Sequence, residues 1–278
     1  MKFSEEQQRR LGEIGASAED VQADFPDEAQ RNRAYQRLET RLTAAQQRRL
    51  AELRHGERRP FVLGLEERLA AALRGAGFLQ VHTPIILSRV RLEKMGVFDG
   101  SIMEKQVFWL DAKHCLRPML APHLYEYMRD LGRFPERPLR LFEIGPCFRR
   151  ETQGQRHASE FTMLNLVEMG LPEGTDLTAR LRELGALVLD AAGIEGWRMA
   201  DEDSTVYGET LDFVDADGME LASSALGPHP LDAAWGIREN WVGIGFGLER
   251  LTMAATHETS MAKVGRSLSY LDGIRLRL

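Results

Sequence analysis

Only two cysteines, Cys115 and Cys147, occur in the 278 residues, and neither belongs to a C-x-x-C pair or a Cys/His cluster. The seven histidines also lack metal-ligand spacing. These absences argue against a disulfide scaffold and a structural zinc site. A chain of this length buries most of its unfolded surface and needs neither. No apolar run approaches the ~20 residues that span a bilayer, and the charged start MKFSEEQQRR has no apolar signal stretch. The composition is that expected of a cytoplasmic, reducing-compartment protein with no membrane partner. No Gly-rich run is closed by Lys-Ser/Thr, and no G-x-G-x-x-G occurs, so neither of those two nucleotide cradles is present.

Net charge is −6, which by itself speaks against a nucleic-acid partner. The average conceals a local excess. Between Gln30 and Arg59 stand nine arginines (31, 33, 37, 41, 48, 49, 54, 58, 59) and three glutamates (39, 52, 57). That segment is basic while the remainder is strongly acidic. Two readings stand at this point, a solvated helix face and a phosphate-binding one.

Ser4 with Gln7 and Ser17 with Asp20 have the spacing of capped helix starts. A long helix is expected over 26–55, polar on most faces, followed by a strongly amphipathic one over 61–76 with Pro60 at its first turn. Gly77 stops it. Short strand 78–82, a helix near Leu92, a loop around 96–103, strand 106–111 and helix 121–131 follow. Strands are then expected at 139–144, 147–151 and 160–169, and a helix at 175–192. A hairpin turns at Asp217-Gly218 between arms 210–214 and 219–226. Strand 241–246 and a helix from Leu248 close the chain. Helices preceding mostly meandering strands predict an α+β fold with a largely antiparallel sheet. The boundary is expected at 58/59, between a helical N-terminal appendage (1–58) and a catalytic-size domain (59–278).

Three segments carry chemistry. The first is the helix and strand ending in His82-Thr83-Pro84, uninformative alone. The second, RLFEIGPCFRRETQGQRHASEFTMLNL (140–166), reads as strand, polar loop, strand. Alternation places Arg149 and Glu151 on one side of their strand. An arginine there forks onto phosphate and a carboxylate accepts from an amino group, or the two simply pair with each other. The third, GIGFGLER (243–250), lets bare backbone approach a flat ligand, with Arg250 at the strand-to-helix junction. In this order the segments resemble motifs 1, 2 and 3 of the class II aminoacyl-tRNA synthetases. Within that class the chain is similar to the pyrrolysyl-tRNA synthetase family, through LRPMLAP (116–122), FEIGPCFR (142–149), EFTMLNL (160–166), LGPH-x-LD (226–232) and GFGLERL (245–251). The likeness covers Arg59 to Leu278, and more loosely the N-terminal helices.

The resemblance implies a class II core, an antiparallel sheet flanked by helices, that activates pyrrolysine with ATP and magnesium and transfers it to the pyrrolysine tRNA. It implies catalytic roles for Arg149, Glu151 and Arg250, with Arg149 on the α-phosphate and Arg250 on the γ-phosphate. His157, Ala158, Leu221 and Gly247 would border ATP, and Phe161 would stack on adenine. Glu220 and Ser223 would hold the metal and phosphate oxygens. The amino-acid pocket would take Ala121, Leu124, Tyr125 and Met128 from one helix. Asn165, Val167, Tyr207, Ser223, Trp241 and Gly243 would complete it, with Asn165 donating to the substrate's amide carbonyl. Without the resemblance, Leu124 and Met128 read as ordinary core. Asn165 between Leu164 and Leu166 does not.

His123 stands where the family pattern has asparagine, Ala158 where it has leucine, and the 96–103 loop lacks the usual Met-Thr start. The resemblance further implies a homodimer with Pro84 at the two-fold axis. It implies a short form without the N-terminal tRNA-binding domain, either self-sufficient or working with that domain as a separate polypeptide. The ending RSLSYLDGIRLRL with the N-terminal helices resembles the bacterial split type more. It also gives the basic 30–59 segment a role against the tRNA backbone. Three alternatives remain, a class II synthetase for another amino acid, a non-catalytic tRNA-binding paralogue, and a ligase that uses the same adenylating core on a non-tRNA acceptor. Retention of both phosphate arginines speaks against the second.

Overall fold

The structure is a computed structural model that describes residues 1–150 and 158–277. Its contacts divide the chain into two compact units, residues 1–63 with 262–278, and residues 64–261.

The first unit begins with α1 (Glu5–Glu13), α2 (Ala18–Gln22) and α3 (Glu28–His55). Both expected caps form. The Ser4 hydroxyl accepts from the Gln7 N–H while the Gln7 side chain returns to the Ser4 N–H, and Ser17 accepts from Asp20 N–H. Asp27 caps α3 through Gln30 N–H at 2.8 Å, so that helix starts slightly later than its periodicity suggests. Gly56, at φ 74°, ends it in the left-handed conformation. Phe3, Leu11 and Ile14 form a small core against Ala34, Tyr35, Leu38 and Leu42. Outside that buried stripe, Arg33, Arg37, Arg41 and Arg48 are exposed. At 3.6 residues per turn these four fall within about 80° of one another.

The second unit carries the sheet. Helix α4 (Phe61–Gly75), which belongs to this unit from Gly64 on, buries Leu65, Leu69, Ala70 and Leu73, an i, i+4, i+5, i+8 stripe. Then come β1 (Leu79–Gln80), β2 (Ile86–Ser88), α5 (Arg89–Glu93), β3 (His114–Leu116), α6 (Ala121–Leu131), β4 (Leu139–Phe148) and β5 (Glu160–Met169). After α7 (Leu177–Ala192) follow β6 (Arg198–Ser204), β7 (Gly208–Val214), β8 (Glu220–Gly227), α8 (Asp232–Trp235), β9 (Trp241–Gly247) and α9 (Leu248–Thr256). Seven strands form one sheet in the order β1-β4-β5-β9-β8-β7-β6. Only β1 to β4 is parallel, and every other pairing is antiparallel. The α+β fold with flanking helices is therefore as expected.

Two local expectations change, and one strand had none. Segment 106–111 is not a strand: Met103–Gln106 is a 3-10 turn, and only Trp109 bridges to Cys115. The strand there is His114–Leu116, which pairs with β2. The two strands expected at 139–144 and 147–151 are one through Phe148, because β5 pairs with it without interruption past Gly145-Pro146. Strand β6, mostly exposed and acidic, carries no hydrophobic alternation and escapes a sequence reading.

The chain ends with α10 (Met261–Val264) and the hairpin of β10 (Tyr270–Leu271) and β11 (Ile274–Arg275). Within the first unit, Asp272 accepts from the Phe61 N–H at 2.7 Å and from Arg58 Nε at 3.1 Å.

Candidate active site

Alternation on β5 directs Phe161, Met163, Asn165 and Val167 to one face of the sheet. The neighbouring strand puts Gly243, Gly245 and Gly247 on that face, opposite Val167, Asn165 and Met163 respectively. Three same-face glycines leave bare backbone under a cavity of about 470 Å³. The roof is α6, which contributes Ala121, Leu124, Tyr125 and Met128.

At one end of the cavity stand the charged groups. Arg149 donates from Nε to the Pro118 carbonyl at 2.9 Å, and its guanidinium lies 5.3 Å from the Phe161 ring centre. The Arg250 guanidinium is 2.9 Å from the Glu220 carboxylate. Both of those side chains are partly solvated, and such a pair is worth only ~0–1 kcal/mol, so either partner is readily recruited by a phosphate or cation.

Strict alternation would set Glu220 and Ser223 on opposite faces of β8. The register shift prevents it. Val214 faces Glu220 while Phe213 faces Ala222, so Leu221 is an extra residue and Glu220 joins the face that carries Ser223. Asp212 lies on the same face, 6% exposed, and accepts from the Ser224 N–H at 3.3 Å. Burial pushes its carboxyl up, while a hydrogen bond with Ser223 opposes the shift. Glu220, Ser223 and Asp212 are hard oxygen donors, a set that fits a small divalent cation such as magnesium.

The other end is aromatic. Tyr125 stacks on Trp235, with ring centres 5.2 Å apart, and meets Trp241 edge-on at 5.8 Å. Tyr207 approaches Trp241 at 6.3 Å. Burial pushes the Tyr125 hydroxyl far above its usual range, and Tyr207 and Asp232 add to the shift. Burial raises Tyr207 as well. Both therefore remain neutral hydroxyls at physiological pH.

Nearly all of the residues singled out from the sequence line this one cavity: Arg149, Ala158, Phe161, Glu220, Ser223, Gly247 and Arg250 at the charged end, and Asn165, Val167, Tyr207, Trp241, Gly243 and the four α6 residues toward the apolar end. Leu221 does not line it, since its side chain is fully buried as the extra residue of β8. Glu151 and His157 lie outside the described residues. His123 also stands apart from the cavity, buried on α6. Burial and the Arg117 and Arg91 charges hold it below its usual range.

Of the lining residues not singled out, Glu249 and Asp212 are two carboxylates at the charged end. Glu249, 3% exposed, accepts from the Thr162 N–H with both carboxylate oxygens, at 3.0 and 2.9 Å, and so ties α9 to β5. It sits inside the GFGLERL segment, which is the signal by which it was open to discovery. Asp212 had no such signal, because its place depends on the β7–β8 register.

No protein-family profile matches the chain. A threonine–tRNA ligase from Alkalilimnicola ehrlichii is 31% identical over 99 residues, 34% of this chain and 15% of that protein. One from Vesicomyosocius okutanii is 32% identical over 96 residues, again 15% of its length. The chain thus spans a small part of those ligases. Two solved structures match throughout. A pyrrolysyl-tRNA synthetase from Desulfitobacterium hafniense superposes with a TM-score of 0.91 at 47% identity, covering 100% of this chain and 99% of that one. A second structure, of Desulfitobacterium hafniense PylSc, gives 0.89 at 47% identity with 98% of its chain covered.

Proposed function

The chain belongs to the pyrrolysyl-tRNA synthetase family, and on that footing we propose that it activates pyrrolysine with ATP and esterifies it onto the pyrrolysine tRNA. The observation that supports this most is one cavity joining a charged end that holds Arg149 and Arg250 to an aromatic end, with Asn165 between them. The Asn165 side chain has no hydrogen bond to any described residue, so its amide is available to a substrate amide.

The activation step needs little covalent chemistry from the protein. The amino-acid carboxylate is ionised at neutral pH and attacks the α-phosphorus in line, with pyrophosphate leaving. Arg149 would meet the charge on the α-phosphate oxygens. Arg250, exchanging its Glu220 partner for phosphate, would take the leaving end. Phe161 would support the adenine, and Glu151 and His157 are assigned to the border of the ATP site. A magnesium ion held by Glu220 and Ser223 would supply further charge neutralisation. Preorganised cations acting where charge develops are worth about 3 kcal/mol each.

We assign the tRNA backbone to the basic face of residues 1–58, where Arg33, Arg37, Arg41 and Arg48 share one exposed stripe of α3. Leu79, Ile86 and Val90 are each more than half exposed on the second unit. A homodimer interface near Pro84 would cover such residues.

The experiment is pyrophosphate exchange into ATP with pyrrolysine, phenylalanine or lysine offered to the purified chain. Exchange with pyrrolysine alone, lost in Arg149→Ala, is the expected result. Exchange with a different amino acid would keep the reaction and reject the substrate. Silence with all three would reject both.

A further inference from the structure

The LGPH-x-LD segment (226–232) carries a carboxylate that the activation chemistry does not use. Asp232 opens α8 and is 3% exposed. Its Oδ1 accepts from the Tyr125 hydroxyl at 3.1 Å. Its Oδ2 accepts from Trp241 Nε1 at 2.9 Å and from the His229 N–H at 2.7 Å. One buried carboxylate therefore joins α6, the turn after β8, and β9. Tyr125 and Trp241 line the apolar end of the cavity, but Asp232 itself does not.

The neighbours leave those two rings little freedom. The Trp241 indole lies over two glycines. A Cβ at Gly227 would overlap the indole, and one at Gly243 would come within 3.1 Å of Cζ3. Tyr125 is held between Trp235 and Trp241. The same turn also reaches Tyr207, whose carbonyl is 3.2 Å from His229 Nε2 and whose ring packs edge-on against the His229 ring.

The residue type is itself informative. An indole N–H and a backbone N–H only donate, and a tyrosine hydroxyl has one proton to give. A carboxylate accepts all three with acceptor sites to spare, and its charge strengthens each bond. Asparagine has the same shape but is neutral, and its NH₂ would have to face the Tyr125 hydroxyl, which would turn its proton away and accept. The Tyr125 bond then reverses, and the bonds from Trp241 and His229 lose their charge assistance. Burying a carboxylate is costly, and an apolar residue would fill this space more cheaply if packing were the only requirement.

We propose that Asp232 is a positioning residue for amino-acid selection, fixing the orientation of Tyr125 and Trp241 and with it the depth of the side-chain pocket. The ligand class is an amino acid with a long, largely apolar side chain. The role rests on the synthetase reading for its substrate, but not for its geometry.

Two measurements on the full chain test it. The first is pyrophosphate exchange by Asp232→Asn, using whichever amino acid supports exchange in the parent chain. KM for that amino acid should rise tenfold or more, while KM for ATP stays within twofold. A shift of both constants together, or of neither, overturns the proposal. The second is the Trp241 indole N–H resonance, assigned by its loss in Trp241→Phe. It should move upfield and exchange faster with solvent in Asp232→Asn, and an unchanged resonance overturns the proposal even in a chain that activates nothing. If the parent exchanges with another amino acid and the KM split persists, the pyrrolysine reading fails and the role of Asp232 stands. An Asp232→Asn chain that unfolds is replaced by Asp232→Glu, which keeps the acceptors but displaces them and should show the same split.

Discussion

Asn165 on β5 and Gly245 on β9 face each other in register, and a Cβ at position 245 would lie 3.2 Å from Asn165 Oδ1 and 3.2 Å from Met163 Cε. The glycine thus reserves the space in which the Asn165 amide turns. Both opposing atoms belong to side chains that can move, so Gly245→Ala should fold. It should instead displace the Asn165 amide and lower kcat/KM for the amino acid about tenfold, or ~1.4 kcal/mol. Steady-state exchange kinetics check this, with a melting temperature within a few degrees of the parent as the control. An unchanged kcat/KM would remove Asn165 from substrate recognition.

Arg149 and Arg250 approach the cavity from different elements, and neither substitutes for the other. Each alanine variant should lose about 10²-fold in pyrophosphate exchange. Arg250→Lys should recover part of the loss because a point charge remains, but not the forked geometry. Single-turnover adenylate formation reads this directly. Equal rates in parent and variants would show that these arginines serve only structural pairs.

Reversal of the α3 stripe, Arg33→Glu, Arg37→Glu, Arg41→Glu and Arg48→Glu together, separates the two halves of the reaction. Exchange should be unchanged, since none of the four lines the cavity. Aminoacylation should fall, and the slope of log affinity for tRNA against log salt should flatten by roughly 0.7–0.9 for each phosphate contact removed. Filter binding at several salt concentrations measures the slope. An unaltered slope would leave the stripe a solvated face.

Glu168 lies at 1% side-chain exposure between Arg140 Nε and Arg180 Nε, 2.6 Å from each. Burial alone would raise its carboxyl, but hydrogen bonds and charge from Arg180 and Arg140 outweigh it and hold the group below the usual 4.5. A depressed carboxylate adds stability that is complete above its unfolded value and is lost as pH falls through the folded one. The loss should therefore appear below about pH 4.5. Glu168→Gln should cost about 2–3 kcal/mol near pH 7, under the full penalty for a broken buried pair because both arginines keep some solvent. Its denaturant midpoint should also change less than the parent's between pH 5 and 3. Parallel acid limbs would overturn the assignment.

How much of this was legible beforehand depends on the range of each interaction. Helix starts at Ser4 and Ser17 follow from hydrogen bonds three residues apart. The faces of β5 follow from period-two alternation, which singled out Asn165 between two leucines. Arg149, Phe161, Arg250 and the glycines of β9 were visible as short segments whose residue types suit phosphate, a flat ring and close backbone approach. The segment 106–111 misled because apolar and aromatic residues there satisfy a strand pattern, while their actual partners lie elsewhere in the tertiary core.

What the sequence determined alone was local: which stretches coil or extend, which face is apolar, and which residue types suited to phosphate or an amide are present. The tertiary structure decided whatever depends on register and convergence. The extra residue at Leu221 turns Glu220 onto the face of Ser223 and Asp212. Asp232 is only one acid among many until α6, β9 and the turn after β8 bring Tyr125, Trp241 and His229 to its two oxygens. Short-range hydrogen bonding and side-chain periodicity are written in neighbouring residues. Strand register and the sharing of one buried carboxylate by three elements are settled only when distant segments pack and every buried donor must find an acceptor.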